Sequence, residues 1–86
     1  MRSEHDPQAD AIYITLREVP YRWGQDLDDS RRVDVGTDNQ PCGIELLNVS
    51  DGVDVTDLPD CEAVSRVLQE HGITISGGGA QTKAAS

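Results

Sequence analysis

The 86 residues carry sixteen acidic side chains against seven basic ones, a net charge of −9, and a chain of this length is expected to make one domain. That balance excludes a reader of the nucleic-acid backbone, which needs a surface rich in lysine and arginine. No apolar run approaches the ~18 residues that span a bilayer, and the polar, acidic first residues carry no apolar signal core.

A cytoplasmic protein with reduced thiols at Cys42 and Cys61 is therefore expected. There is no Phe, one Trp and two Tyr, so Val, Ile and Leu must build the core. A domain this small buries only about 60–65% of its unfolded surface. A second copy or a bound partner would add buried area to so thin a core.

In chain order, residues 2 to 5 are expected as a short strand and residues 11 to 16 as a second. Ile12, Ile14 and Leu16 alternate with Tyr13, Thr15 and Arg17, the period of a half-buried strand. Between the two lies "DPQAD", a hairpin turn in which Pro7 fixes φ and Asp6 and Asp10 can bond backbone amides. Residues 18 to 30 are mixed and polar, broken by Pro20 and Gly24, and read as irregular.

Residues 31 to 35 and 44 to 49 then read as a hairpin of strands. Val33 and Val35 share a face of the first, Ile44 and Leu46 share a face of the second, and the turn-rich "GTDNQPCG" links the two strands. Residues 53 to 55 read as a short strand or extended lead. Leu58, Cys61, Val64, Val67 and Leu68 follow helical spacing. They predict a helix over residues 58 to 71, capped by Asp57 and ended by Gly72. Residues 73 to 75 would return as a strand. The class is α+β: an antiparallel β-meander of about four strands with one C-terminal helix packed on the sheet. Residues 1 to 75 form the domain, and 76 to 86, rich in Gly, Ala and Ser, a flexible tail.

The stretch "HDPQADAIYITL", residues 5 to 16, resembles the opening of small bacterial domains grouped as domain of unknown function 2283. That opening runs tyrosine-aspartate-proline-x-x-aspartate-alanine-leucine-tyrosine-isoleucine. Asp6, Pro7, Asp10, Ala11, Tyr13 and Ile14 fit it, and His5 replaces the leading tyrosine. A second block, "TDNQPCGIELLNVS", is similar through Asp38, Gly43, Ile44, Glu45 and Leu47. The resemblance spans residues 5 to 75, with 18 to 30 as an insert. It implies a small α+β domain and no established activity. It also implies structural roles for Asp6, Pro7, Asp10, Tyr13, Gly43 and Glu45. Some relatives are encoded beside small toxin-type proteins, which implies an antitoxin-like or partner-binding role.

Candidate sites divide by chemistry. Asp6 and Asp10 could form a carboxylate pair for acid–base work, but turn bonding accounts for both. Glu45 should face solvent, or pair across strands with Arg31 or Arg32. His5 and His71 lack metal-ligand spacing, and neither cysteine has a local activating partner, so no metal or cofactor is expected. Cys61 fits the buried helix stripe, whereas Cys42 lies at a turn and could be exposed. Residues 26 to 29 lack the Gly and the distal Glu of a calcium loop. The glycine run at 77 to 79 lacks a phosphate-loop lysine.

Tyr21 and Trp23, of residue types enriched at binding hot spots, stand beside Asp26, Asp28 and Asp29. They make the favoured reading an interaction module, antitoxin-like, whose acidic face meets a basic, toxin-like protein. Two alternatives remain: a small-ligand or enzymatic domain using Asp6, Asp10 and Glu45, and a homodimeric structural domain. The missing nucleophile, metal and phosphate-loop patterns weigh against an enzyme.

Overall fold

The computed structural model describes residues 1–77, and the chain divides into two compact units, Met1–Leu47 and Asn48–Ser86. The first unit is a five-stranded antiparallel sheet. Its strands are β1 (Arg2–Asp6), β2 (Ala11–Thr15), β3 (Tyr21–Asp28), β4 (Arg31–Gly36) and β5 (Pro41–Leu47), in the spatial order β1-β2-β5-β4-β3. The β3–β4–β5 run is a meander, and the β1–β2 hairpin joins it through the β2–β5 pair. The class is α+β, with one strand more than the four expected.

The added strand is β3, which occupies the segment read as irregular. It lies at a sheet edge and is mostly exposed on both sides, so no buried face imposes an apolar period on its sequence. Pro20 ends just before it, where no ladder donor is needed.

Alternation governs the interior strands. Ile12 and Ile14 of β2, Val33 and Val35 of β4, and Cys42, Ile44 and Leu46 of β5 are all buried. The register sets Ile12 against Leu46, and Ile14 and Val33 against Ile44, so these residues share one face. Each fully buried aliphatic side chain of this kind contributes about 1.5–3 kcal/mol. Cys42 is the extra residue of a bulge between Asp34 and Val35, and its thiol is buried rather than exposed. Burial, then the nearby Asp34 charge, raises its pKa.

The turns follow their residue types. The Asp6 carboxylate accepts the amides of Gln8 (3.1 Å) and Ala9 (3.2 Å). The Asp10 amide closes a turn onto the Pro7 carbonyl at 3.3 Å, and Asp10 takes a left-handed φ of 55°. In the β4–β5 loop, Asp38 accepts the Gln40 amide and pairs with Arg17 at 2.7 Å.

The second unit holds β6 (Val53–Asp54), helix α1 (Cys61–Glu70) and β7 (Ile75–Gly77), with β6 and β7 paired in parallel. The helix begins three residues later than expected. Asp60, not Asp57, is the N-cap residue, and both aspartates hold left-handed φ values. Leu58 is buried but sits in the preceding turn, its amide bonded to the Val55 carbonyl. The expected stripe survives in Val64 and Leu68, both fully buried, whereas Cys61 is half-buried. Gly72, at φ 72°, ends the helix as its type predicts. The last strand runs to Gly77, two residues into the stretch expected as tail. The remainder of that stretch, 78–86, lies outside the described residues.

Candidate interaction surface

Opposite the apolar face, the strand register lines up a polar row across all five strands. Glu4 pairs with Tyr13, Tyr13 with Glu45, Glu45 with Arg32, and Arg32 with Asp26. The neighbouring row is Arg2, Thr15, Gly43, Asp34 and Gly24. It carries no side chain on β5 or β3, and that vacancy organises the face.

Tyr13 leans from β2 across Gly43 and donates its hydroxyl to Asp34 Oδ2 on β4 at 2.7 Å. A Cβ on Gly43 would overlap that hydroxyl. Arg32 leans the other way, over Gly24, where a Cβ would overlap its guanidinium. Its Nε lies 3.4 Å from Asp34 Oδ1, its Nη1 3.8 Å from Asp26, and its Nη2 donates to the Tyr21 hydroxyl at 3.2 Å. Asp34, its side chain 15% exposed, is thus held from both sides. Burial, then the hydrogen bond to Asp34 and the Asp34, Cys42 and Glu45 charges, push the Tyr13 pKa well above the ordinary tyrosine value. Tyr13 is therefore a fixed donor at neutral pH, and a poor general base.

Charge is distributed unevenly. Arg2 pairs with Glu18, Arg17 with Asp38, Arg31 with Asp28, and Arg32 with Asp34 and Asp26. Arg31, followed by the Ser30 amide, holds Asp28 below the usual carboxylate range, and Arg17 does the same for Asp38. Glu45 stands opposite Arg32 in register, yet the guanidinium turns away to Asp34, and the expected cross-strand ion pair does not form. At the β1–β2–β5 end, Glu4, Asp6 and Glu45 line a groove of about 280 Å³ together with His5 and Tyr13. Among the described residues no group of three or more His, Cys, Asp or Glu is gathered as a metal site.

The expected partner-binding residues all fall on β3 or the β3–β4 turn, but not on one surface. Tyr21 pairs with Gly36 on the polar side of the sheet, and Trp23 pairs with Val35 on the other, across a register shift between them. They are 55% and 43% exposed. Asp26 and Asp28 already face arginines, and Asp29 is exposed at the hairpin tip. Of the motif residues, Tyr13, Glu45 and Gly43 meet at the polar rows. Asp6 joins them at the groove through its turn, while Pro7 and Asp10 shape that turn. Sequence reasoning missed Asp34 and Glu4, and it named Arg32 only as a cross-strand partner for Glu45. The one signal was Asp34 set between two valines, a polar side chain on the outward phase of a strand.

A family model matches residues 3–50, and its description reads protein of unknown function (DUF2283). The match covers the sheet and stops before the helix. No curated protein matches the chain. No solved structure matches it either.

Proposed function

The chain belongs to the DUF2283 family, and since that membership carries no activity, we propose a function from the charge layout: a protein-interaction module that takes a basic segment of a protein partner on its open sheet face. The observation that supports it is the groove whose carboxylates, Glu4, Asp6 and Glu45, make no ion pair with an arginine among the described residues, while Glu18, Asp38 and Asp28 are each paired with one. A lysine or arginine side chain entering there would meet three carboxylates and the half-buried Tyr13 ring, with cation–π attraction adding to charge. Tyr21, on the same face, would extend the contact toward Asp26 and Asp29. Opposite charge would steer the encounter and set its register. The antitoxin-like form of this function is occlusion, with the acidic face covering a nucleic-acid-binding or catalytic surface of a toxin-like partner.

The test is affinity capture from the native host with wild-type and Glu4→Gln/Glu45→Gln baits, at low and at high salt. A stoichiometric basic protein should be held by the wild type, and lost both in ~1 M salt, where the screening length falls to ~3 Å, and with the variant. A partner retained equally by both baits at both salts would refute the reading.

A further inference from the structure

We propose that β3 is a self-pairing edge, along which two copies of the protein join antiparallel about a two-fold axis at Gly24. This inference is independent of the groove. β3 is the longest strand, it ends the sheet, and its outer backbone groups have no ladder partner within the first unit. Such an edge is a template for another strand.

The sequence Arg22-Trp23-Gly24-Gln25-Asp26 is self-complementary in charge about its glycine, with a cation two residues before it and an anion two residues after. In an antiparallel pair centred on Gly24, Arg22 of each copy stands opposite Asp26 of the other. The contact is therefore satisfied twice, as an isologous interface requires. Among the described residues Arg22 is exposed and makes no ion pair, unlike the other four arginines of its unit. Asp26 is held only loosely, at 3.8 Å from Arg32, with its side chain 72% exposed. The register shifts between Tyr21 and Trp23 and between Asp26 and Asp28 confine the regular part of the edge to Trp23–Asp26, on which the pairing is centred, and Arg22 is the unpaired residue of the first shift, at the margin of that part.

Both faces of the joint are accounted for. On the polar face each copy brings Arg22, Arg32, Asp26 and Asp34, so the two Arg32 side chains lying over the central glycines are balanced by carboxylates. On the other face Trp23 stands opposite Gln25 of the second copy and diagonal to its Trp23. That diagonal of ~7–8 Å lies within reach of aromatic rings. The exposed indole would gain cover there. A two-fold normal to the sheet keeps the polar faces on one side, so a ten-stranded dimer would present both grooves together. A single strand pair is small against the ~1,200–2,000 Å² of standard interfaces, so the dimer should be weak and concentration-dependent.

The test is solution mass by sedimentation equilibrium from micromolar to millimolar protein. The wild type should move from the 9.3 kDa monomer toward twice that mass. Arg22→Asp and Asp26→Arg should each hold it at the monomer, and the double swap Arg22→Asp/Asp26→Arg should restore the dimer. All three changes are at exposed positions, and circular dichroism checks that each variant folds. A wild type that stays monomeric throughout, a dimer indifferent to Arg22→Asp, or a swap that fails to restore association would each overturn the proposal.

Discussion

Replacing Gly43 with alanine should destabilise the protein by displacing a hydrogen bond made by another strand. The added Cβ would occupy the space of the Tyr13 hydroxyl, and the ring must lift away from β5. Its 2.7 Å bond to Asp34 is then lost. A hydrogen bond to a charged group is worth about 1.5–3 kcal/mol. Removing a glycine from a strand returns about 0.5–1 kcal/mol. The net expectation is a loss of about 1–2 kcal/mol. In a domain of this size that lowers Tm by roughly 4–8 °C per kcal/mol. The decisive assay is a double-mutant cycle by thermal and urea unfolding with Tyr13→Phe. The phenylalanine ring must still shift, since its Cζ would lie 2.7 Å from the new Cβ, but no hydrogen bond is lost, so Gly43→Ala should cost less there than in the wild type, with a coupling of about 1–2 kcal/mol. A Gly43→Ala protein as stable as wild type, or one that loses the same stability in both backgrounds, would refute the reasoning.

Other expectations concern the turn and pH. Asp6→Ala removes the acceptor of two turn amides and should cost about 1 kcal/mol by urea unfolding, as loss of a cap does. At Asp10, whose φ is 55°, Ala should cost about 1–2 kcal/mol more than Asn, which tolerates the left-handed region. Tyr13, with its folded pKa raised, contributes fully below the unfolded value of about 10. Above it the unfolded chain releases a proton that the folded one keeps, so stability should fall as pH rises. Cys42, also raised, adds to this fall from about pH 8.5, and Tyr13→Phe should flatten the limb above pH 10 in a Tm–pH series. Asp28 and Asp38 are depressed, so their contribution is present above about pH 4 and lost as pH falls through that region. Arg17→Gln should reduce the acid limb that Asp38 supplies.

What the sequence made legible is what a single strand or turn encodes alone. The alternation of Ile12 and Ile14, and of Ile44 and Leu46, marks buried phases that the sheet uses. Asp6 and Pro7 mark a turn, and Gly72 a helix end, through backbone preferences that act over a few residues. β3 was hidden because an edge strand exposed on both sides needs no apolar period. The helix start was misplaced because Leu58 is buried at helical spacing while lying in a turn. The Tyr13–Asp34–Arg32 network was out of reach for a different reason. It joins residues 21 apart in the chain, and it exists only in the register that sets β2, β5 and β4 side by side. Gly43 and Tyr13 both appear in the family motif, but the sequence does not say that one makes room for the other. Glu45 was placed on the right face and given the wrong neighbour, because Asp34 draws Arg32 away.

The central claim, that the uncompensated acids of the sheet receive a basic side chain, is tested most directly by amide chemical-shift mapping of the 15N-labelled protein titrated with an arginine-rich peptide. The account predicts saturable shifts centred on Glu4, Tyr13 and Glu45 that vanish in high salt and in Glu4→Gln/Glu45→Gln. Shifts that bypass these residues, or that follow exposed acids such as Asp29, Glu62 and Glu70 instead, would contradict it.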